Sequence, residues 1–232
     1  MKGTARLLSG LVIATAIFLI ANAVGINVHL NSKLIANSFI THTVMLLLSA
    51  LLIYVMRKKM SYKISLPKFK TVLKPILIGI VLTIVINLLM TILTKIAGGK
   101  IEVHPIFATM NPVQVFIYVF LYASLAEEIL FRGFLLNFLN SSTRKGIVLF
   151  KRNFSFPVII SAIAFGLAHL ILIRTGIGSL FLLRVIVFAT SLGLVAGYYQ
   201  EKYDNNSYAI IVHMSGNSIA VVSALLLSMS SN

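Results

Sequence analysis

Apolar and polar positions along this chain fall into long blocks and do not alternate residue by residue. Seven apolar blocks can be read, at roughly 7–25, 37–56, 73–96, 114–138, 155–173, 179–199 and 207–229. Each is about 20 residues long, the length a helix needs to cross a hydrocarbon core about 30 Å thick. Lipid cannot hydrogen-bond a bare backbone, so a spanning segment must be a helix or part of a closed barrel. Barrel strands would alternate apolar and polar positions over about ten residues. The blocks show no such alternation. The pattern predicts an all-α polytopic membrane helix bundle with about seven transmembrane helices. No internal repeat, low-complexity tract or long linker interrupts it, so one membrane domain without an attached soluble domain is expected.

Composition strengthens this reading. Of 232 residues, 59% are hydrophobic and 11% charged, with a mean hydropathy of +0.99. A soluble domain of this length would need more polar surface. There is no cysteine, which excludes disulfides, thiolate metal sites and a cysteine nucleophile. The net charge is +15. Because the basic residues lie between apolar blocks and form no single soluble face, they fit membrane orientation and anionic headgroups, not nucleic acid.

The lysines and arginines also predict an orientation. Stretch 57–74 holds Arg57, Lys58, Lys59, Lys63, Lys68, Lys70 and Lys74, and stretch 140–152 holds Arg144, Lys145, Lys151 and Arg152. With both inside, Lys2, Arg6 and Lys202 also fall inside, so fourteen of the 20 basic residues share that face. Lys33, Lys95, Lys100 and Arg174 fall at the outer ends, and Arg132 and Arg184 lie within spans. Arg184, near the outer part of its span, is expected to snorkel outward or to contact substrate. The positive-inside rule then gives a multi-pass protein of the cell membrane with its N-terminus inside and C-terminus outside. Ala21-Asn22-Ala23 resembles a signal-peptidase site, but the block before it is longer than a usual signal core. The first block is therefore read as a retained span.

The candidate chemistry lies in the spans. Of five acidic residues, Glu102, Glu201 and Asp204 are in loops, while Glu127 and Glu128 are adjacent within the fourth block. A carboxylate at a helix centre costs about 2.5–3.5 kcal/mol on insertion scales, so the pair is read as a functional site facing the bundle interior. Helix geometry makes the two unequal. Glu128 and Arg132 are four apart and share a face, which suits an ion pair. Glu127 is rotated by about 100° and is left as the free carboxylate.

Two histidines, His169 and His213, are also read as intramembrane. Phe165 shares a helix face with His169, and Asn217 shares one with His213. Gly166 and Gly216 allow close backbone approach, and the Gly193–Gly197 spacing reads as helix packing. At about 1.5 Å rise per residue, Glu127 lies about 16 Å, His169 about 20 Å, His213 about 9 Å and Asn217 about 15 Å from the inner boundary. These depths allow one pocket shared by three spans. Two carboxylates, two imidazoles and an amide suit hydrolysis. A desolvated glutamate can act as general base toward water, histidines can hold a metal or position water, and an amide can donate to an oxyanion.

Glu-Glu-x-x-x-Arg at 127–132, Phe-x-x-x-His at 165–169 and His-x-x-x-Asn at 213–217 resemble the three motifs of the CPBP, or Abi, family of intramembrane proteases. That family includes type II CAAX prenyl endopeptidases and bacterial bacteriocin-processing or immunity proteins. The motifs occur in order on three spans, and the resemblance covers roughly 113–225. It implies N-terminal spans 1–3 over residues 1–112 and a protease core of four spans over residues 113–232. It further implies Glu127 as the base that activates water, supported by Glu128 and its partner Arg132. His169 would hold the water or a metal, His213 and Asn217 would stabilise the oxyanion, and Phe165 would line the pocket. Zinc on Glu127, His169 and His213 is compatible with this set, as is a metal-independent glutamate mechanism.

The expected activity is that of a membrane endopeptidase working at the inner side of the bilayer on a membrane-associated peptide or protein. Its expected setting is peptide or bacteriocin maturation or immunity. Two competing readings are a non-catalytic membrane scaffold on the same fold and a proton-coupled transporter using the same Glu and His residues. The lack of inverted repeats or broken spans disfavours the transporter.

Overall fold

A computed structural model describes residues 3–28, 30, 32, 34–140, 145–149 and 151–230. Lys2, Lys33 and Arg144, which entered the orientation count, lie outside them. Seven helices are long and apolar enough to cross a membrane. They are span 1 (Gly3–Asn27), span 2 (Ser38–Met56), span 3 (Phe69–Ile96), span 4 (Pro112–Asn140), span 5 (Phe156–Thr175), span 6 (Ser179–Tyr203) and span 7 (Asn206–Ser230). These are the seven apolar blocks, extended at several ends. Span 3 starts at Phe69 and takes in Lys70 and Lys74, while span 6 runs on through Lys202 to Tyr203. Helical backbone bonding continues past the apolar zone because long charged side chains can reach water from the last turns.

The ends follow local chemistry. Span 4 opens on a capping box, in which Asn111 Oδ1 accepts from Gln114 N at 2.9 Å and Gln114 Oε1 accepts from Asn111 N at 3.0 Å. Pro112 occupies the first turn, where its missing N–H costs nothing. Span 5 opens with Ser155 Oγ accepting from Val158 N at 3.3 Å. It closes at Gly176, whose φ of 74° few other residues adopt without strain.

One element has no counterpart in the pattern reading. Between spans 4 and 5, Gly146–Leu149 (β1) pairs antiparallel with Arg152–Ser155 (β2). Stretch 140–152 was read simply as a basic connection. The hairpin is a small addition to an otherwise helical architecture.

Span 4 is the axis of the bundle. Its second half is packed on all sides, with Leu130, Arg132, Phe134, Leu135 and Leu136 fully buried. Ala14 and Ile17 of span 1, Met45 and Ile53 of span 2, and Phe165 of span 5 belong to the same core. A second cluster joins spans 6 and 7 through Leu192, Ala196, Tyr199, Tyr208, Ala209 and Val212. Outward-facing Leu8, Val12, Leu51, Leu77, Val81 and Leu88 are exposed, as lipid contact requires.

Glycine sets the closest helix approaches. A Cβ at Gly193 would lie 2.1 Å from Arg132 Nη2 and 3.2 Å from Ala162 Cα, and one at Gly216 would lie 2.8 Å from Leu192 Cδ2. The packing roles read for Gly193, Gly197, Gly166 and Gly216 all hold. Gly193→Ala is expected to push the Arg132 guanidinium off its partner. Overpacking of this kind costs about 1–3 kcal/mol. A lowered melting temperature in detergent, together with reduced activity, would check this, and a variant with wild-type behaviour would contradict it.

Candidate active site

Span 4 changes helical type around the two glutamates. Val115–Ala123 and Ile129–Leu136 are π-helical, and the short α-helical piece Ser124–Glu128 lies between them. Such departures from α geometry recur at functional sites, because they free carbonyls and re-aim side chains. The Val119 carbonyl is one such acceptor. It receives Ser124 Oγ at 3.4 Å and Asn217 Nδ2 at 3.2 Å.

The two glutamates have separate environments. Glu128 is 1% exposed and Arg132 0%, and Arg132 Nη1 donates to Glu128 Oε1 at 2.9 Å. The same oxygen lies 2.9 Å from Nδ1 of His213. The Arg132 guanidinium also stacks on the Phe165 ring, 4.6 Å from its centroid. Oε1 of Glu128 is therefore engaged by both partners, as the four-residue spacing to Arg132 implied. Glu127 keeps 18% of its side chain exposed and faces imidazoles: His42 Nε2 is 3.5 Å from one oxygen and His213 Nε2 is 3.7 Å from the other. These distances are long for direct hydrogen bonds.

His213 thus bridges the pair, with one ring nitrogen toward each carboxylate. Phe165 packs edge-on against both His169 and His213, with centroids 5.1 and 5.4 Å away. His169 sits where span 5 tightens from α to 3-10 geometry. Its Nδ1 lies 3.0 Å from the Phe165 carbonyl, which fixes the ring and turns Nε2 away from that bond.

Glu127, His42, His169, His213, Phe165 and Asn217 all border one cavity of about 570 Å³, a volume typical of ligand sites. The structure thus brings together the residues expected to share a pocket, but the pocket is larger than three spans. Residues of all seven spans line it, including Phe18 of span 1, Met45 of span 2 and Asn87 of span 3. Arg184 also lines the cavity, against the Phe181 ring at 4.8 Å, so it does not simply snorkel outward. His104, in the loop after span 3, borders the same space. Burial, with His169 and Arg184 nearby, pushes its imidazole down to about 4. The ring is therefore neutral near pH 7, and its Nδ1 accepts from Ile106 N at 3.2 Å.

Two expectations change. Asn217 was read as an oxyanion donor, but both hydrogens of its amide are used: Nδ2 donates to the Val119 carbonyl at 3.2 Å and to Ser124 Oγ at 3.1 Å. In this arrangement it joins span 7 to the π-helical part of span 4. His42 was overlooked. It lies within the apolar block 37–56, so a third intramembrane imidazole was visible in the sequence. No motif carried it, and its proximity to Glu127 depends on how span 2 packs against span 4.

The donor types would suit a metal. Among the described residues, however, no three His, Cys, Asp or Glu side chains are grouped so that they could hold one. Glu127, His169 and His213 do not form such a set in this arrangement.

A helical membrane bundle with a buried Glu-Glu-Arg and His centre beside a large internal cavity has the form of an intramembrane protease. Residues 109–219 match the family described as type II CAAX prenyl endopeptidase Rce1-like, which is consistent with the CPBP/CAAX proteases and indicates a membrane protease. No curated protein and no solved structure matches the chain significantly.

Proposed function

We propose that this chain is an intramembrane endopeptidase in which Glu127 activates the attacking water. The observation that carries the reading is the inequality of the glutamates. One is closed off by Arg132 and His213, while the other faces the cavity between two imidazoles. A water beside Glu127 gives up a proton to the carboxylate, and its oxygen attacks the scissile carbonyl carbon. The C=O π electrons move onto oxygen, forming a tetrahedral oxyanion. Collapse of that intermediate breaks the C–N bond, and Glu127 returns its proton to the leaving amine. His213, oriented through Nδ1 by Glu128, and His169, fixed by the Phe165 carbonyl, border the same cavity and hold the water and steady the oxyanion. Arg132 balances the charge of Glu128. Asn217 holds span 7 against span 4 and so positions His213 one turn away.

In this reading residues 113–232 carry the chemistry, and the spans of residues 1–112 complete the cavity and add His42. Peptide maturation, including the bacteriocin processing or immunity that the motif resemblance implies, is the setting that fits a cavity of this size. The test is the purified chain in lipid vesicles with membrane-associated peptides, read by mass spectrometry of the products. New peptide ends should form with wild type. If none form while the cellular phenotype survives Glu127→Ala, the protein is a scaffold and not a protease.

His42 supplies a separate check. Its Nε2 lies 3.5 Å from Glu127 and positions that carboxylate, and misplacing a catalytic group by about 1 Å costs up to roughly a hundredfold in rate. His42→Gln is expected to lower kcat by that order with little change in KM or melting temperature. An unchanged kcat would remove His42 from the site.

A further inference from the structure

Most of the cavity lies in one half of the bundle. Its lining comes mainly from the late part of spans 1, 3 and 5, the early part of spans 2 and 6, the first two-thirds of span 4 and the middle of span 7. Because successive spans run in opposite directions, the parts from spans 1, 2, 3, 5 and 6 lie toward one face. The 97–111 loop lies at that face, and His104, Ile106, Phe107 and Met110 line the cavity from it.

The opposite half is sealed. On that side of Glu127 and Glu128, Leu130, Phe134, Leu135 and Leu136 are fully buried. Beyond them the 57–68 loop is fastened across the end of the bundle. Arg6 donates to the Lys59 carbonyl at 2.9 Å and to the Phe138 carbonyl, and Met60 is buried. Asn205 exchanges two hydrogen bonds with the backbone of Ser65, at 3.0 and 3.1 Å, and Asn206 N donates to the Lys63 carbonyl at 2.9 Å. Tyr62 of this loop packs near Gly133, and burial pushes its phenol up despite a hydrogen bond with Asn206.

The sealed end is the basic end. Arg57, Lys58, Lys59, Lys63, Lys151 and Arg152 all belong to its loops, whereas the loop over the cavity carries Lys100 with Glu102. A charge asymmetry of this kind fixes the basic end on the cytoplasmic side.

We infer that the Glu127 cavity opens on the outer, non-cytoplasmic face of the membrane, and that its substrate is a peptide segment presented from that side. This reverses the expected inner-side action. The substrate clause rests on the proteolytic reading, whereas the direction of opening does not.

The absence of native cysteine allows a direct test in the full-length chain, with single cysteines and a membrane-impermeant maleimide on intact cells. Ala108→Cys, on the loop over the cavity, and Ser223→Cys, on the cavity wall, should label without permeabilisation. Lys58→Cys, in the basic loop, should label only afterwards. Each cysteine is also introduced beside Glu127→Ala, and labelling should not change, since access needs no catalysis. Labelling of Ala108→Cys or Ser223→Cys only after permeabilisation would overturn the inference. So would a Ser223→Cys that stays unlabelled throughout while Ala108→Cys labels from outside, because the cavity would then not open to that face. If labelling follows expectation but no peptide is cleaved, the opening stands and the proteolytic reading falls.

Discussion

Glu127→Ala is expected to reduce peptide hydrolysis by about 10²–10⁴-fold, the usual contribution of a positioned general base. Stability should change little. Glu127 is the partly exposed member of the pair, and its nearest side-chain partners are imidazoles at 3.5 and 3.7 Å, so its removal strands no strong partner. The loss should fall on kcat, because the carboxylate takes the proton during attack and is not needed to bind the peptide. Glu127→Gln should behave alike, since an amide keeps the shape and cannot accept the proton. Initial rates in lipid vesicles with matched melting temperatures check this. Substantial activity in either variant would assign the base elsewhere.

Arg132→Ala is expected to act first on the fold. Removing one partner of a buried pair costs about 3–5 kcal/mol, because the other charge is left uncompensated. Glu128 would keep only His213, and Phe165 would lose the guanidinium stacked on it. The double variant Glu128→Gln with Arg132→Met should recover much of that stability, because no buried charge then lacks a partner. It should stay inactive, since Glu128 no longer holds His213 as a carboxylate. Thermal unfolding in detergent of Glu128→Gln, Arg132→Met and the double variant measures this coupling. Additive losses would mean that the pair does not stabilise the bundle as a unit.

The helices were legible because lipid imposes a strong constraint: about 20 apolar residues must run together wherever the chain crosses. All seven blocks became spans, and their ends moved by only a few residues, as where Lys70, Lys74 and Lys202 stay helical at the interface. The hairpin from Gly146 to Ser155 was not legible, since Ile147, Val148 and Leu149 are a short apolar run among basic residues. The Glu128–Arg132 pair was legible as well, because it is local: four residues on one helix fixed it, and it survives the π-helical turn that begins at Ile129. Contacts set by tertiary packing were not. Asn217 shares a face with His213, but its amide is taken up by Val119 and Ser124, and no spacing announces that. His42 and Arg184 reach the cavity only through the way spans 2 and 6 pack around span 4.

The most direct test of the central claim compares peptide ends in membranes from cells carrying wild type, Glu127→Gln or His213→Ala at equal expression. The account predicts a set of new peptide ends that depends on wild type and disappears in both variants. The same ends at the same levels in wild type and Glu127→Gln would contradict it.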